Sequence, residues 1–131
     1  MTVVVDASAI VSLLTRDEKA PRVQTLLDEH DALPWTLALL DAEVGHALRG
    51  LVRGGKLPAR VAEARLHTFR RMGFVRTGLR DHMQVAWSLR HNLSFYDALY
   101  VALAARIGAP LLALDARIAA VPGLPAEVIV A

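Results

Sequence analysis

Short, fully apolar runs alternate along this chain with longer segments in which apolar residues recur every three or four positions. The runs at 3–5 and 111–114 have the length and aliphatic character of strands that are buried on both faces. The spaced pattern instead predicts amphipathic helices. These helices are expected at five places: 9–14, 20–29, 36–53 with Thr36 as its cap, 58–73 and 81–91.

A sixth helix is predicted from the segment Ser94-Phe95-Tyr96-Asp97, which has the form of a capping box with the acid three residues after the serine. This helix, to about 107, is apolar almost all round, so we expect it to be central and buried. Further strands are predicted at 32–35, at a sheet edge where Pro34 is tolerable, and at 74–76 and 127–130.

Strands that alternate with helices predict an α/β fold. We expect a three-layer sandwich in which helices flank a mainly parallel central sheet, formed by a single domain over residues 1–131. The 131 residues are 54% hydrophobic, which excludes a disordered chain. No apolar run approaches the roughly 20 residues that span a bilayer, no leader peptide is visible, and there are no cysteines. These features predict a cytoplasmic protein without membrane contact.

The net charge of +2 hides an uneven distribution. Between His46 and His91 there are ten basic side chains and only two acidic ones, so this stretch carries +8 and the remainder −6. Nearly all of these basic residues are arginine, whose forked guanidinium suits phosphate groups. Any single arginine is explained as well by a solvated helix face. The asymmetry as a whole favours a polyanionic partner.

Four isolated carboxylates stand at the start of, or inside, apolar segments: Asp6, Glu43, Asp97 and Asp115. A charged group beside the core costs free energy unless it is paired or binds a metal. Asp6 and Asp115 follow predicted strands, and open parallel sheets bind ligands outside the carboxyl ends of their strands. Oxygen ligands without histidine or cysteine suit Mg²⁺ or Mn²⁺. The pattern therefore indicates chemistry on phosphate esters.

A purely structural role is open for three of these acids. Asp6 and Asp115 can each cap the helix that follows, and Asp97 is the acid of the capping box. Glu43 has no capping role and lies among apolar residues of its helix. Its rival Asp41 is two residues away, which is about 200° of rotation on a helix, so the two side chains face different directions. We take Glu43 as the candidate.

The motifs that carry these acids resemble those of the PIN-domain ribonucleases. They are Val4-Val5-Asp6-Ala7-Ser8-Ala9, an isolated Glu43 in the helix after the second strand, Ser94-x-Tyr96-Asp97-Ala98-x-Tyr100, and a strand that ends at Asp115. The segment 94–104 is the most specific, and the resemblance covers essentially the whole chain. Length and layout are most similar to the VapC toxins of bacterial toxin–antitoxin pairs.

The resemblance implies an endoribonuclease that hydrolyses RNA phosphodiester bonds with metal-activated water. The four acids would be both catalytic and metal-binding, holding one or two Mg²⁺ or Mn²⁺ ions with Ser8 beside them. Arginines of the basic stretch would hold the RNA backbone: Arg49, Arg53, Arg70 and Arg71. The implied partners are tRNA, rRNA or mRNA, a second copy of the chain in a homodimer, and a cognate antitoxin. The antitoxin is expected on apolar surface near Val11, Leu14, Leu26 and Leu27.

One position departs from the family pattern. Ala113 stands where a Thr or Ser usually precedes the last acid by two residues. The departure puts in doubt the support of Asp115 and a second metal, and it leaves open a catalytically weakened or inactive PIN-like domain that only binds RNA. Phosphotransfer through an aspartyl phosphate is poorly supported, because it requires a late lysine and the only lysines are Lys19 and Lys56.

Histidines and aromatic residues add little to this prediction. His46, one turn from Glu43, is the one histidine with a candidate role in the site. With aromatic residues at only 5% of the chain, recognition of RNA by base stacking is not expected. The larger aromatic residues are expected in the core: Trp35, Phe74, Trp87 and Phe95.

Overall fold

The structure, a computed structural model, describes all 131 residues as five strands and seven helices. The strands are β1 (Val4–Val5), β2 (Trp35–Leu37), β3 (Val75–Thr77), β4 (Leu111–Ala113) and β5 (Val128–Val130). The helices are α1 (Ala7–Thr15), α2 (Ala20–Asp28), α3 (Leu39–Arg53), α4 (Ala59–Arg70), α5 (Met83–Ser88), α6 (Phe95–Ile107) and α7 (Ala116–Ala119). A 3₁₀ turn, Arg80–His82, precedes α5. None of these helices combines the length and apolar character that crossing a bilayer requires.

The five strands form one sheet in the order β3-β2-β1-β4-β5, and every neighbouring pair is parallel. Parallel strands need crossover connections, and helices supply them here. The predicted α/β class with a mainly parallel sheet is therefore confirmed. The central strand is β1, and its neighbour β4 places Leu112 beside Val5.

Helices cover both faces of the sheet, because alternate residues of each strand point to opposite sides. Val3 and Val5 pack into one apolar core together with residues of α1 to α4. Val4 packs into a second core, to which α6 contributes most of its length. This arrangement gives the three layers that the sequence predicts and confirms that α6 is central and buried.

Two predictions around β2 were wrong. The strand begins after Pro34 and lies between β3 and β1, so it is not an edge strand. Pro34 still contributes to the sheet, since its carbonyl accepts a hydrogen bond from the Val75 N–H. Thr36 does not cap α3. It lies within β2, and its buried hydroxyl donates to the Val5 carbonyl at 2.9 Å.

The starts of three helices also bear on the site. The Asp6 side chain caps α1, and Ser8 lies inside this helix. The capping serine of α6 is confirmed, because the Ser94 hydroxyl accepts from the Asp97 N–H at 3.1 Å. The helix predicted at 81–91 is shorter than expected: the 3₁₀ turn takes its start, and α5 ends at Ser88.

Candidate active site

Four acidic side chains approach the carboxyl edge of the sheet from different elements. Asp6 follows β1 directly, and Asp115 follows the neighbouring strand β4 by two residues. Glu43 comes from α3, whose apolar face packs into the first core, and Asp97 comes from the first turn of α6 on the opposite face. The edge therefore collects acids from both helical layers, as expected of an open parallel sheet.

Asp6 is the most deeply placed of the four, with 7% of its surface exposed. Its Oδ1 accepts hydrogen bonds from the Ser8 hydroxyl at 2.7 Å and from the Ala9 N–H at 3.1 Å. Burial raises the pKa of Asp6 to about 6; these hydrogen bonds oppose the shift, and the negative charges of Asp97 and Glu43 add to it. The Ser8 hydroxyl in turn accepts from the N–H of Leu114, so it ties the end of β4 to α1.

Glu43 is held by Tyr100, a residue of the motif at 94–104 to which the sequence pattern assigns no role. The Tyr100 hydroxyl donates to Glu43 Oε1 at 2.6 Å. Burial raises the pKa of Glu43, the hydroxyl opposes the rise, and the charge of Asp97 adds to it. Asp41 lies elsewhere, since it forms an exposed ion pair of 2.8 Å with Arg76. Asp97 and Tyr100 are three positions apart in the sequence, a spacing that puts both on one side of α6.

Asp97 is half-buried at the start of α6. Burial raises the pKa of Asp97; the Ser94 hydroxyl opposes the rise, and the charge of Asp115 adds to it. The capping box is only half formed, because Asp97 donates its N–H to Ser94 without a return bond from the Ser94 N–H to its carboxylate. The Asp97 carboxylate therefore does not cap the helix and is available to another partner.

Asp115 differs from the other three acids because it already has a cationic partner. The Arg117 guanidinium donates to both of its carboxylate oxygens, with a shortest distance of 2.8 Å, and the Arg117 N–H donates to Oδ1 as α7 begins. These contacts lower the pKa of Asp115. Ala113, two residues earlier, is fully buried and offers no hydroxyl.

The first three acids form a group of like charges without a basic partner. The only ion pairs of the protein are Arg76–Asp41 and Arg117–Asp115. The negative charges of Asp97 and Glu43 raise the pKa of Asp6, and the charge of Asp97 also raises the pKa of Glu43. No three acidic or histidine side chains converge on one point. Their donor set is all oxygen, which fits a hard divalent cation.

An open cleft of about 850 Å³ borders Glu43. Glu43, His46 and Ser8 line it together with Tyr96 and the apolar side chain of Val11. His46 therefore lies in the same cleft as Glu43, as its spacing from Glu43 suggested. The cleft is large enough to admit a nucleotide or a peptide side chain.

The burial of apolar and aromatic side chains corrects two further expectations. Leu14 and Leu26 are buried in the core, and Val11 and Leu27 are half-buried, so the apolar surface expected there is mostly internal. Trp87, expected in the core, is exposed. All four of the candidate arginines are exposed on α3 and at the end of α4: Arg49, Arg53, Arg70 and Arg71.

Comparison with known proteins identifies the family. Residues 3–124 match the model of the PIN domain, and the chain belongs to the PIN-domain family. It is 42% identical over 130 residues to ribonuclease VapC1 of Mycobacterium tuberculosis, which covers 95% of this chain and 94% of that protein. It is also 34% identical to ribonuclease VapC3 of Pyrobaculum aerophilum, over 91% of this chain and 93% of that one.

Solved structures share the same fold at lower sequence identity. The M. tuberculosis toxin VapC20, described as cleaving the sarcin–ricin loop, superposes with a TM-score of 0.68 at 21% identity, over 90% of this chain and 93% of that one. The VapBC2 complex of Rickettsia felis, solved on a promoter DNA fragment, gives a TM-score of 0.69 at 11% identity, over 100% of this chain and 99% of the matched chain.

Proposed function

We propose that this protein is an endoribonuclease of the VapC kind that hydrolyses RNA phosphodiester bonds with a divalent cation, Mg²⁺ or Mn²⁺. The observation that carries the proposal is the group Asp6, Glu43 and Asp97, three carboxylates without a basic partner at the carboxyl edge of a parallel sheet. The ribonuclease relatives, up to 42% identical across nearly the whole chain, support the choice of RNA as substrate.

Asp6, Glu43 and Asp97 would hold the cation, since their charges repel one another and their oxygens are the ligands that it prefers. When bound, the cation supplies a water of lowered pKa and positive charge next to the phosphate. The chain's own part is to fix the ligands. Ser8 and the Ala9 N–H orient the Asp6 carboxylate, and the Tyr100 hydroxyl orients Glu43.

The last acid favours a second candidate function, a weakened nuclease or an RNA-binding domain without cleavage. Arg117 already neutralises Asp115, and the buried Ala113 provides no hydroxyl to support it. A second cation at Asp115 would have to displace the guanidinium. The group of Asp6, Glu43 and Asp97 does not include Asp115, so we favour an active enzyme that binds one cation tightly.

The proposal extends to partners. Exposed arginines of the +8 stretch would neutralise RNA phosphates. Solved relatives of the same fold include a toxin–antitoxin complex of Klebsiella pneumoniae, and an antitoxin is proposed here too. Its basic side chain would enter the cleft beside Glu43, where negative charge is uncompensated. A homodimer is the proposed state of the toxin.

The test is cleavage of a structured RNA by the purified chain, combined with expression in a bacterial host. We expect cleavage with Mg²⁺ or Mn²⁺, none with excess EDTA, and a loss of several orders of magnitude in Asp6→Asn and Asp97→Asn. The wild-type chain should arrest growth, and Asp6→Asn should not. Cleavage that survives EDTA overturns the metal mechanism. Intact RNA binding without any cleavage selects the second candidate.

A further inference from the structure

Two large aromatic side chains lie exposed on the adjoining helices α5 and α6, and one of them lines the cleft with Glu43. Trp87 at the end of α5 is 60% exposed and Tyr96 in the first turn of α6 is 59% exposed. A single exposed ring is common on a protein surface, but two large exposed rings on adjoining helices, one of them lining a cleft, suit contact with a partner. Neither ring is needed to fill a core, and Trp87 was expected inside one. Their exposure therefore calls for a functional explanation.

Trp87 is also held in place. The Arg90 guanidinium lies over its ring at 4.7 Å from the centroid, and Arg90 Nη1 donates to the Trp87 carbonyl at 3.0 Å. The Phe95 ring meets the Trp87 ring nearly edge-on, with centroids 6.5 Å apart. A ring fixed on two sides loses little further freedom when a flat partner stacks on it, which favours binding.

The two rings are connected through Phe95. Tyr96 immediately precedes Asp97 and lines the cleft with Glu43. Phe95, the next residue back, touches Trp87. Tyr96 thus lies in the cleft with Glu43, and Phe95 connects it along the chain to Trp87 and the cation of Arg90. A chain that carries both flat rings and phosphates fits this sequence of surfaces.

We propose that Trp87 and Tyr96 are stacking platforms for unpaired bases of a single-stranded RNA segment, and that they position its phosphate at the carboxylates. The proposal rests on the proposed function for its choice of RNA. Proteins grip single-stranded RNA by stacking bases on aromatic rings, because the bases of a duplex are inaccessible. Stacking tolerates any base, so the platforms select unpaired structure and not a particular sequence.

Binding is measured in the Asp6→Asn variant, so that cleavage does not interfere. The probes are a single-stranded oligoribonucleotide, the same oligomer with abasic sites, and a matched RNA duplex. We expect Trp87→Ala to weaken binding of the single strand about tenfold. Trp87→Phe, which keeps a ring, should restore most of the loss. Val85→Ala, an exposed residue of the same helix, is the matched control and should change nothing.

Two features separate stacking from charge. The dependence of affinity on salt should keep its slope in Trp87→Ala, because no phosphate contact is lost. The abasic oligomer should bind with equal affinity to the Asp6→Asn protein and to the same protein that also carries Trp87→Ala. As a second measurement, Trp35→Phe leaves Trp87 as the only tryptophan, and its fluorescence should be quenched by the single strand and not by the duplex.

Equal weakening for the duplex and the abasic oligomer, or unquenched fluorescence, overturns the proposal. Sedimentation of Trp87→Ala tests the other occupant of such a surface: a change from dimer to monomer with unaltered RNA affinity assigns Trp87 to a contact between two copies of the chain. If wild-type protein fails to cleave RNA while Trp87 still stacks on single strands, the nuclease function fails and this inference stands.

Discussion

The Tyr100 hydroxyl donates a hydrogen bond of 2.6 Å to Glu43 and thereby joins α6 to α3. The two helices pack on opposite faces of the sheet, so the bond passes beyond the strand ends. Burial and the neighbouring charge of Glu43 raise the pKa of Tyr100, so the phenol remains protonated and can only donate to this carboxylate. One buried phenol thus fixes an acid of the site to the helix that carries Asp97.

Tyr100→Phe should therefore impair the site without unfolding the protein. The hydrogen bond favours ionised Glu43, so its loss raises the pKa of Glu43 further. We expect the acidic limb of the pH–rate profile for RNA cleavage to move to higher pH, and Mn²⁺ to bind more weakly below neutral pH. Leu103→Val, a core change on the same helix, serves as control for packing. An unchanged pH profile in Tyr100→Phe would show that the hydrogen bond from Tyr100 does not influence the ionisation of Glu43.

The stability of the metal-free protein should depend on the protonation of Asp6. Its pKa is about 6 in the folded chain against 3.8 ordinarily, so the folded state keeps a proton that the unfolded chain releases. The free energy of unfolding should fall as pH rises from about 4 to about 6, and Asp6 should account for about 3 kcal/mol of the fall. Urea unfolding in EDTA measures this, and Asp6→Asn should remove that share while leaving the smaller fall due to Glu43 and Asp97, whose pKa values are also raised.

The same urea unfolding can be measured with a divalent cation in place of EDTA. A cation favours ionised carboxylates, so saturating Mn²⁺ should cancel the loss of stability above pH 6 in the wild-type chain. Asp6→Asn should gain much less from Mn²⁺. A wild-type protein whose stability is flat with pH in EDTA, or which Mn²⁺ does not stabilise, would remove Asp6 from the cation site.

Sequence patterns predicted the fold where local signals were strong. The apolar runs gave β1 and β4, and the Ser94 cap with its all-round apolar helix gave α6. The errors arose where distant contacts decide. Threonine is a favourable helix cap in isolation. Thr36 nevertheless lies in a strand, because its hydroxyl donates a hydrogen bond to the carbonyl of Val5, 31 residues away. Pro34 suggested an edge strand, yet β2 starts one residue later and is free to pair on both sides.

For the site, sequence could select the acids but not their surroundings. The sequence indicates Asp6, Glu43 and Asp97 because a charged side chain in an apolar segment costs free energy unless it is paired or binds a metal. The Tyr100 bond to Glu43 spans 57 residues and has no local signature. The exposure of Trp87 was equally hidden, because a tryptophan at the end of an amphipathic helix is usually buried.

Arg117 should compete with a cation for Asp115. The guanidinium neutralises the carboxylate and repels a second positive charge, although it is itself 92% exposed. Arg117→Ala should let the pKa of Asp115 return toward its ordinary value and should tighten Mn²⁺ binding at low salt. Calorimetric titration measures the affinity, with Arg22→Ala on α2 as control. Unchanged affinity would place Asp115 outside the cation site.

The basic stretch should bind RNA through its charge. Reversal of Arg70 and Arg71 to glutamate should weaken binding of every RNA alike and reduce the slope of log affinity against log salt concentration. The matched control is reversal of Arg16 and Arg22, which lie outside the stretch. Filter binding between low and moderate salt gives both quantities. Equal effects of the two double variants would indicate a general charge effect and no RNA-binding face.

The proposed nuclease function requires that Asp6, Glu43 and Asp97 hold the cation on which RNA cleavage depends. The most direct measurement is the cleavage rate as a function of Mn²⁺ concentration for Glu43→Gln and Asp41→Asn, acids two residues apart on α3. Glu43→Gln should lower the rate by orders of magnitude and require more Mn²⁺. Asp41→Asn, which loses only an exposed ion pair, should match the wild type. If the two variants cleave RNA with the same rate and the same Mn²⁺ dependence, the claim is wrong.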